Sequence, residues 1–164
     1  YEHCWKDIMI TKIISSCQTG VDRAALDFAI EHNIPYGGWL PKGRKTEDGI
    51  LDLKYKLQEM PTGEYSKRTE KNVLDSEGTV IVSHGLLTGG SALTREFAQK
   101  HGKHWIHIDL KELTLNQAAE RLLHWIQEEE IEVLNVAGPR ARKDPDIYSK
   151  TVELLKLTFI EMRQ

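Results

Sequence analysis

Short β-branched runs alternate along this chain with stretches in which apolar residues recur every three to four positions. IMITKII, residues 8–14, reads as a first strand. Residues 21–32 bring Val21, Ala25, Phe28 and Ala29 onto one helical face, with Asn33 and Pro35 as the stop. IPYGGWL predicts a second strand over 34–38, and YKLQEM a third over 55–60. A polar helix spans 66–77, and GTVIVS at 78–83 is a buried strand through Val80, Ile81 and Val82. A helix over 91–101 stops at Gly102, and HWIHID at 104–109 is again a strand. The helix over 114–127 opens with a capping box of Thr114 and Gln117. IEVLNV at 131–136 is the last strand. Asp144 and Pro145 then cap and open a final helix whose apolar side carries Val152, Leu155, Phe159 and Ile160.

Strands alternating with helices imply parallel pairing with helices on both faces. The expected fold is α/β, a three-layer α/β/α doubly wound, mainly parallel, Rossmann-like sheet. It has five or six strands in the order 3-2-1-4-5-6, as a single domain over residues 1–164. In such folds ligands bind beyond the carboxyl ends of the strands. The loops that follow strands are therefore where chemistry is expected.

Four of these loops stand out. SSCQTG, residues 15–20, runs straight into a helix, where small residues and free N–H groups suit an anion. Its side chains also allow a plainer reading, with Thr19 capping the helix, Asp22 closing a capping box and Arg23 solvated. GGWLPKGRKTEDG, residues 37–49, is long and basic through Lys42, Arg44 and Lys45. Its Trp39 either stacks on a flat heterocycle or plugs the loop. SHGLLTGGSALTREF, residues 83–97, holds Thr88, Gly89, Gly90, Ser91 and Thr94 at a strand-to-helix turn that permits close backbone approach. Glu96, one turn in, either contacts a ribose, acts as an acid or pairs with Lys100. NVAGPRARKDP, residues 135–145, supplies Gly138 and the bases Arg140, Arg142 and Lys143. The polar helix adds Arg68, Thr69 and Asn72.

Composition narrows the partner. Net charge is −3, yet nine of the 22 lysines and arginines lie in or beside these segments: Arg23, Lys42, Arg44, Lys45, Arg68, Arg95, Arg140, Arg142 and Lys143. An acidic protein with a local basic rim suits a small anionic ligand and disfavours nucleic acid. No apolar run is long enough to span a membrane, and no secretory pattern is visible. Cys4 and Cys17 have neither metal nor redox spacing, which suits a reducing, cytoplasmic setting. The seven histidines are scattered, so no metal site is expected. A homo-oligomer through the final helix, Trp105 and Trp125 is one use of their apolar surface; core packing is the other.

With the loops in this order the chain resembles the bacterial molybdenum carrier protein family, Rossmann-like domains related to the LOG and lysine-decarboxylase-like superfamily. The resemblance lies in QTGVDRAALDFAI, GGWLPKGRKTEDG, YSKRTEKNVLDSEGTVIVS, LTGGSALT and VLNVAGPRARKDPDIY. It implies a carrier that binds molybdenum cofactor, molybdopterin, by its phosphate at the carboxyl edge of the sheet. The ligand-binding set is then Ser16, Cys17, Gln18, Thr19, Gly20, Asp22, Arg23, Lys42, Arg44, Arg68, Thr69, Asn72, Thr88, Gly89, Gly90, Ser91, Thr94, Gly138 and Arg140, with Cys17 a small lining residue. Two departures are visible. Ser16 and Cys17 stand where the family carries a glycine pair. TGGSALTRE keeps only the glycine pair and Glu96 of the superfamily enzymes' PGGxGTxxE. The alternatives are a sensor of a nucleotide-derived ligand, or a LOG-like nucleoside monophosphate phosphoribohydrolase with Glu96 as its catalytic carboxylate.

Overall fold

The computed structural model describes residues 10–162. Cys4 and the first two residues of the expected 8–14 strand lie outside that range. The main sheet has five strands, all paired in parallel: β1 (Lys12–Ile14), β2 (Tyr36–Gly37), β7 (Gly78–Ser83), β8 (His104–Asp109) and β9 (Val133–Ala137). Between β2 and β7 the chain makes four short strands, β3 (Trp39–Leu40), β4 (Lys45–Thr46), β5 (Gly49–Ile50) and β6 (Gln58–Glu59). The helices are α1 (Val21–Glu31), α2 (Tyr65–Leu74), α3 (Gly89–Lys100), α4 (Leu115–Glu128) and α5 (Ile147–Lys156), and α5 runs on as a π-helical turn, Leu157–Glu161. α1, α4 and α5 pack together, and α2 packs with α3. The doubly wound, parallel, three-layer α/β fold expected from the alternation is therefore present.

The strand order is not the expected one. It is β2-β1-β9-β7-β8, so the last strand lies between the first and β7 instead of at the far edge. Leu134 is in register with Ile13 on one side and Gly78 on the other. Burial explains the difference. Leu134, Asn135 and Val136 are all buried, whereas β8 carries His104, His107 and Asp109 and is half-exposed along most of its length. A parallel strand buried on both faces belongs in the interior of a sheet; a charged one tolerates the edge. The expected third strand, 55–60, does not join this sheet either. Only Gln58–Glu59 is extended, and it pairs with β3 in a separate ribbon.

The core lies between the sheet and α1, α4 and α5, with Phe28, Val80, Leu122, Leu134, Leu155 and Phe159 in one continuous cluster. Trp125 packs against that cluster and closes over Gly78. Local signals placed most helices well. Thr114 and Gln117 make both bonds of the capping box, and Asn33 ends α1 by turning left-handed at φ 55. Two cap assignments need correction. α1 is capped by Gly20 with no side-chain bond, because the Thr19 hydroxyl accepts from the Ala141 N–H instead. α5 is capped by Asp146, again without a side-chain bond, because the Asp144 carboxylate meets His84.

Candidate functional site

The loops after β1, β7 and β9 converge at the carboxyl edge of the sheet. They enclose, with α2, a cavity of about 570 Å³. That is ample for a small organic ligand. Of the expected ligand-binding residues, Ser16, Gln18, Asp22, Arg68, Thr69, Asn72, Thr88, Gly90, Ser91, Thr94, Gly138 and Arg140 line it.

The loop after β1 is organised around Asp22. The Ser15 hydroxyl donates to the Asp22 carbonyl at 2.8 Å, and the Ser16 hydroxyl to the Asp22 carboxylate at 2.6 Å. Ser16 therefore has a defined task. Cys17 takes the left-handed conformation, φ 58, that a glycine would adopt without strain. Its side chain does not line the cavity. It is fully buried in a second apolar cluster with Leu26, Leu40, Leu51 and Tyr55, and burial pushes its thiol up to about 12. The Gln18 amide is held by the hairpin opposite, donating to the Lys45 carbonyl and accepting from the Glu47 N–H.

Glycine is required at Gly138 by close approach. A Cβ there would stand 2.4 Å from the Val82 carbonyl oxygen and 2.5 Å from a Val21 methyl. Gly20, at φ 81, is similarly pressed against the Pro139 carbonyl and faces that loop, not the cavity. Gly90 differs: nothing lies within 4 Å of the position its Cβ would take. It sits in the first turn of α3, where the Ser91 and Ala92 N–H groups bond the Thr88 carbonyl and the Gly90 N–H makes no bond among the described residues. Lys143 reaches the same helix end and donates to the Thr88 hydroxyl at 3.2 Å.

The charges on the cavity wall are unevenly paired. Each carboxylate is engaged. Glu47 accepts from the Arg142 N–H at 2.9 Å, Asp144 pairs with His84 at 2.6 Å, and Asp22 holds Ser16 with Arg68 4.0 Å away. Burial pushes the Asp22 carboxyl up, outweighing the attraction of Arg68. The bases are less satisfied. Arg68 is only 7% exposed, and its one hydrogen bond runs from Nε to the Tyr65 carbonyl at 3.4 Å. Arg140 makes no hydrogen bond or ion pair through its side chain among the described residues; its guanidinium lies over the Tyr65 ring.

The remaining expected residues are outside the cavity. Arg23 bonds Asp48 through both terminal nitrogens and the Cys17 carbonyl through Nε. Arg44 donates to the Asp52 and Tyr55 carbonyls, and Lys42 is exposed. Thr19 is tied to Ala141, and Gly89 lies under Lys143. Glu96 is exposed on α3 and does not line the cavity, and Lys100 pairs with Glu70 instead. Trp39 clasps α2, its indole N–H donating to Asp75 and its backbone exchanging bonds with Asn72. Sequence reasoning missed Tyr65, Glu47 and Asn135. Asn135 had a signal: a polar residue, 3% exposed, inside an apolar strand, with its amide donating to Thr79. Among the described residues no group of three or more His, Cys, Asp or Glu is placed to hold a metal ion.

A family model described as cpYpsA, the circularly permutated YpsA SLOG family, matches residues 13–159. The chain belongs to that family. A crystal structure at 1.45 Å of a protein from Syntrophus aciditrophicus SB, named "Putative molybdenum carrier protein", is 60% identical to this chain, with a TM-score of 0.91 over 92% of this chain and 95% of that one. No curated protein matches.

Proposed function

We propose that this cpYpsA-family chain is a carrier or binding protein for a small, phosphate-bearing anionic ligand, with molybdenum cofactor as its cargo. The observation that carries the reading is the charge imbalance of the cavity. Its carboxylates are spoken for, Asp22 by Ser16 and Arg68 together, while Arg140 on the same wall makes no hydrogen bond or ion pair through its side chain among the described residues. A guanidinium with no anion on the protein has a phosphate as its natural complement. Gly90 adds a backbone donor at the start of α3 and Ser91 a hydroxyl, and a helix start favours anions. The donor set suits a phosphate and offers molybdenum no thiolate, so the cargo would be held by its phosphate. The name of the 60%-identical relative supports the choice of cargo.

Glu96, the carboxylate a nucleoside monophosphate hydrolysis would use, lies off the cavity, and this favours binding over turnover. The test is a thermal-shift and calorimetric titration with purified molybdenum cofactor, adenosine monophosphate and inorganic phosphate. Binding to the folded state raises the melting temperature in proportion to RT ln(1 + [L]/Kd). Molybdenum cofactor should bind most tightly, and Arg68→Met should abolish the shift. If none of the three raises the melting temperature at millimolar concentration, the reading is wrong.

A further inference from the structure

Tyr65 opens α2 and is 42% exposed, with no hydrogen bond from its hydroxyl among the described residues. Nothing in its chain position marked it. Yet two guanidinium groups of the cavity wall lie against its ring: Arg68 at 5.6 Å from the centroid and Arg140 at 4.9 Å. Arg68 comes from the same helix, one turn on; Arg140 comes from the loop after β9, far away in sequence. Two like charges on one wall repel. An aromatic face attracts cations through its quadrupole and so offsets that repulsion. For Arg140 the ring is the one side-chain anchor found among the described residues. Arg68, more than nine-tenths buried, makes no hydrogen bond through its terminal nitrogens among the described residues, and the Asp22 carboxylate stands 4.0 Å from one of them.

We infer that Tyr65 is a positioning residue that holds Arg68 and Arg140 together as a receptor for a tetrahedral oxyanion, either free or at the end of a larger ligand. This rests on the anionic-ligand reading above and adds to it the residue that pre-organises the site. Pre-organised donors lose less entropy on binding, so the ring contributes to affinity without touching the ligand. An exposed aromatic at a helix start has no packing reason to be Tyr instead of Leu; an aromatic requirement with indifference to the hydroxyl is the signature of a cation–π platform.

The experiment titrates inorganic phosphate and adenosine monophosphate, separately, into the full chain and into Tyr65→Phe, Tyr65→Leu and Tyr65→Gln. Tyr65→Phe should bind both within about twofold of the parent. Tyr65→Leu and Tyr65→Gln should bind about five- to thirtyfold more weakly, from two cation–π contacts of modest strength. Melting temperatures should stay near the parent's. In an Arg140→Met background the further loss from Tyr65→Leu should shrink, because the two residues act as one unit. Equal affinity for the two probes identifies a free oxyanion as occupant and tighter binding of the monophosphate a terminal phosphate; either upholds the receptor. Parent-like affinity in Tyr65→Leu, or an equal loss in Tyr65→Phe, overturns the inference while leaving the ligand reading intact. Failure of the parent chain to bind either probe overturns both.

Discussion

Gly90 and Gly138 look alike in the sequence, since each sits in a turn after a buried strand, but they should respond oppositely to one added methyl. At Gly138 the methyl carbon would fall 2.4 Å from the Val82 oxygen and 2.5 Å from Val21 Cγ2, with Val21 Cβ at 2.8 Å. Ordinary contacts are about 3.5–4.0 Å, so the overlap is on the order of 1 Å on two sides. Rotating Val21 does not relieve it, because its Cβ is itself too close, and the Val82 carbonyl is fixed in β7. Gly138→Ala should therefore cost at least the upper end of the overpacking range, about 3 kcal/mol. For a chain of this size that is a fall of roughly 6–12 °C in melting temperature. Gly90 has open space on its Cβ side and lies inside α3, so alanine should stabilise the helix by about 0.5–1 kcal/mol, or roughly 1–4 °C. The same methyl projects where a ligand would meet the helix start, so phosphate affinity should drop about tenfold or more. Scanning calorimetry and isothermal titration on both variants read the two effects separately. A Gly90→Ala protein that melts below the parent, or binds as well as it, would refute the reasoning, as would a Gly138→Ala protein within 2 °C of the parent.

Four further outcomes are expected. Cys17, its thiol pushed up to about 12 by burial, should resist iodoacetamide at pH 8 in the folded chain by about a thousandfold relative to the unfolded one; peptide mapping separates it from Cys4, and rapid labelling of Cys17 in the native state would count against its burial. The raised thiol has the sign of stability held below the ordinary thiol range and lost as pH rises toward 12, so Cys17→Ala should show a shallower alkaline loss in urea titrations. Asp48 is held down to about 2, first by its hydrogen bonds from Arg23 and then from Thr46; Asp48→Asn should cost less than about 1 kcal/mol at pH 7, because the carboxylate is largely solvated, and the difference should vanish as pH falls from about 4 through 2. Lys143→Met should weaken phosphate binding several-fold and flatten its salt dependence; an unchanged salt slope would remove Lys143 from the site.

How much of this was legible depends on the range of the interaction concerned. Element types came through where the cause is local. The β-branched run of β7, the capping box at Thr114 and the left-handed stop at Asn33 are set by neighbours a few residues away. The faces of α2 were legible only as a pattern: Arg68 and Asn72 share one face, but nothing local said that this face is buried. The partners of the bases in and beside the basic loop were not legible, because groups distant in sequence hold them. Arg44 is committed to Asp52 and Tyr55, and Arg23 to Asp48. A charge count cannot distinguish a base that is already bonded from one that is free. The direction of the Cys17 side chain was hidden for a related reason. Its neighbours Ser16 and Gln18 do line the cavity, and only the positive φ turns its own side chain away, into the Leu26 and Leu40 cluster.

The strand order is the step on which the site depends most. Had the last strand lain beyond β8, as the expected 3-2-1-4-5-6 order requires, its loop would have been separated from the loop after β1 by two strands, roughly 10–15 Å at 4.8 Å per strand. Arg140 would then lie too far out to share the Tyr65 ring with Arg68, and Gly138 would not meet both Val21 and Val82. In the order observed, β9 is hydrogen-bonded to β1 and β7 at once. Its loop is therefore delivered between the two turns that open α1 and α3. The close approach of Gly138, the bond from the Ala141 N–H to Thr19 and the reach of Lys143 to Thr88 all follow from that one placement. The residues that line this cavity are thus drawn from distant parts of the chain, and they meet because the last strand, buried through Leu134, Asn135 and Val136, took the centre of the sheet.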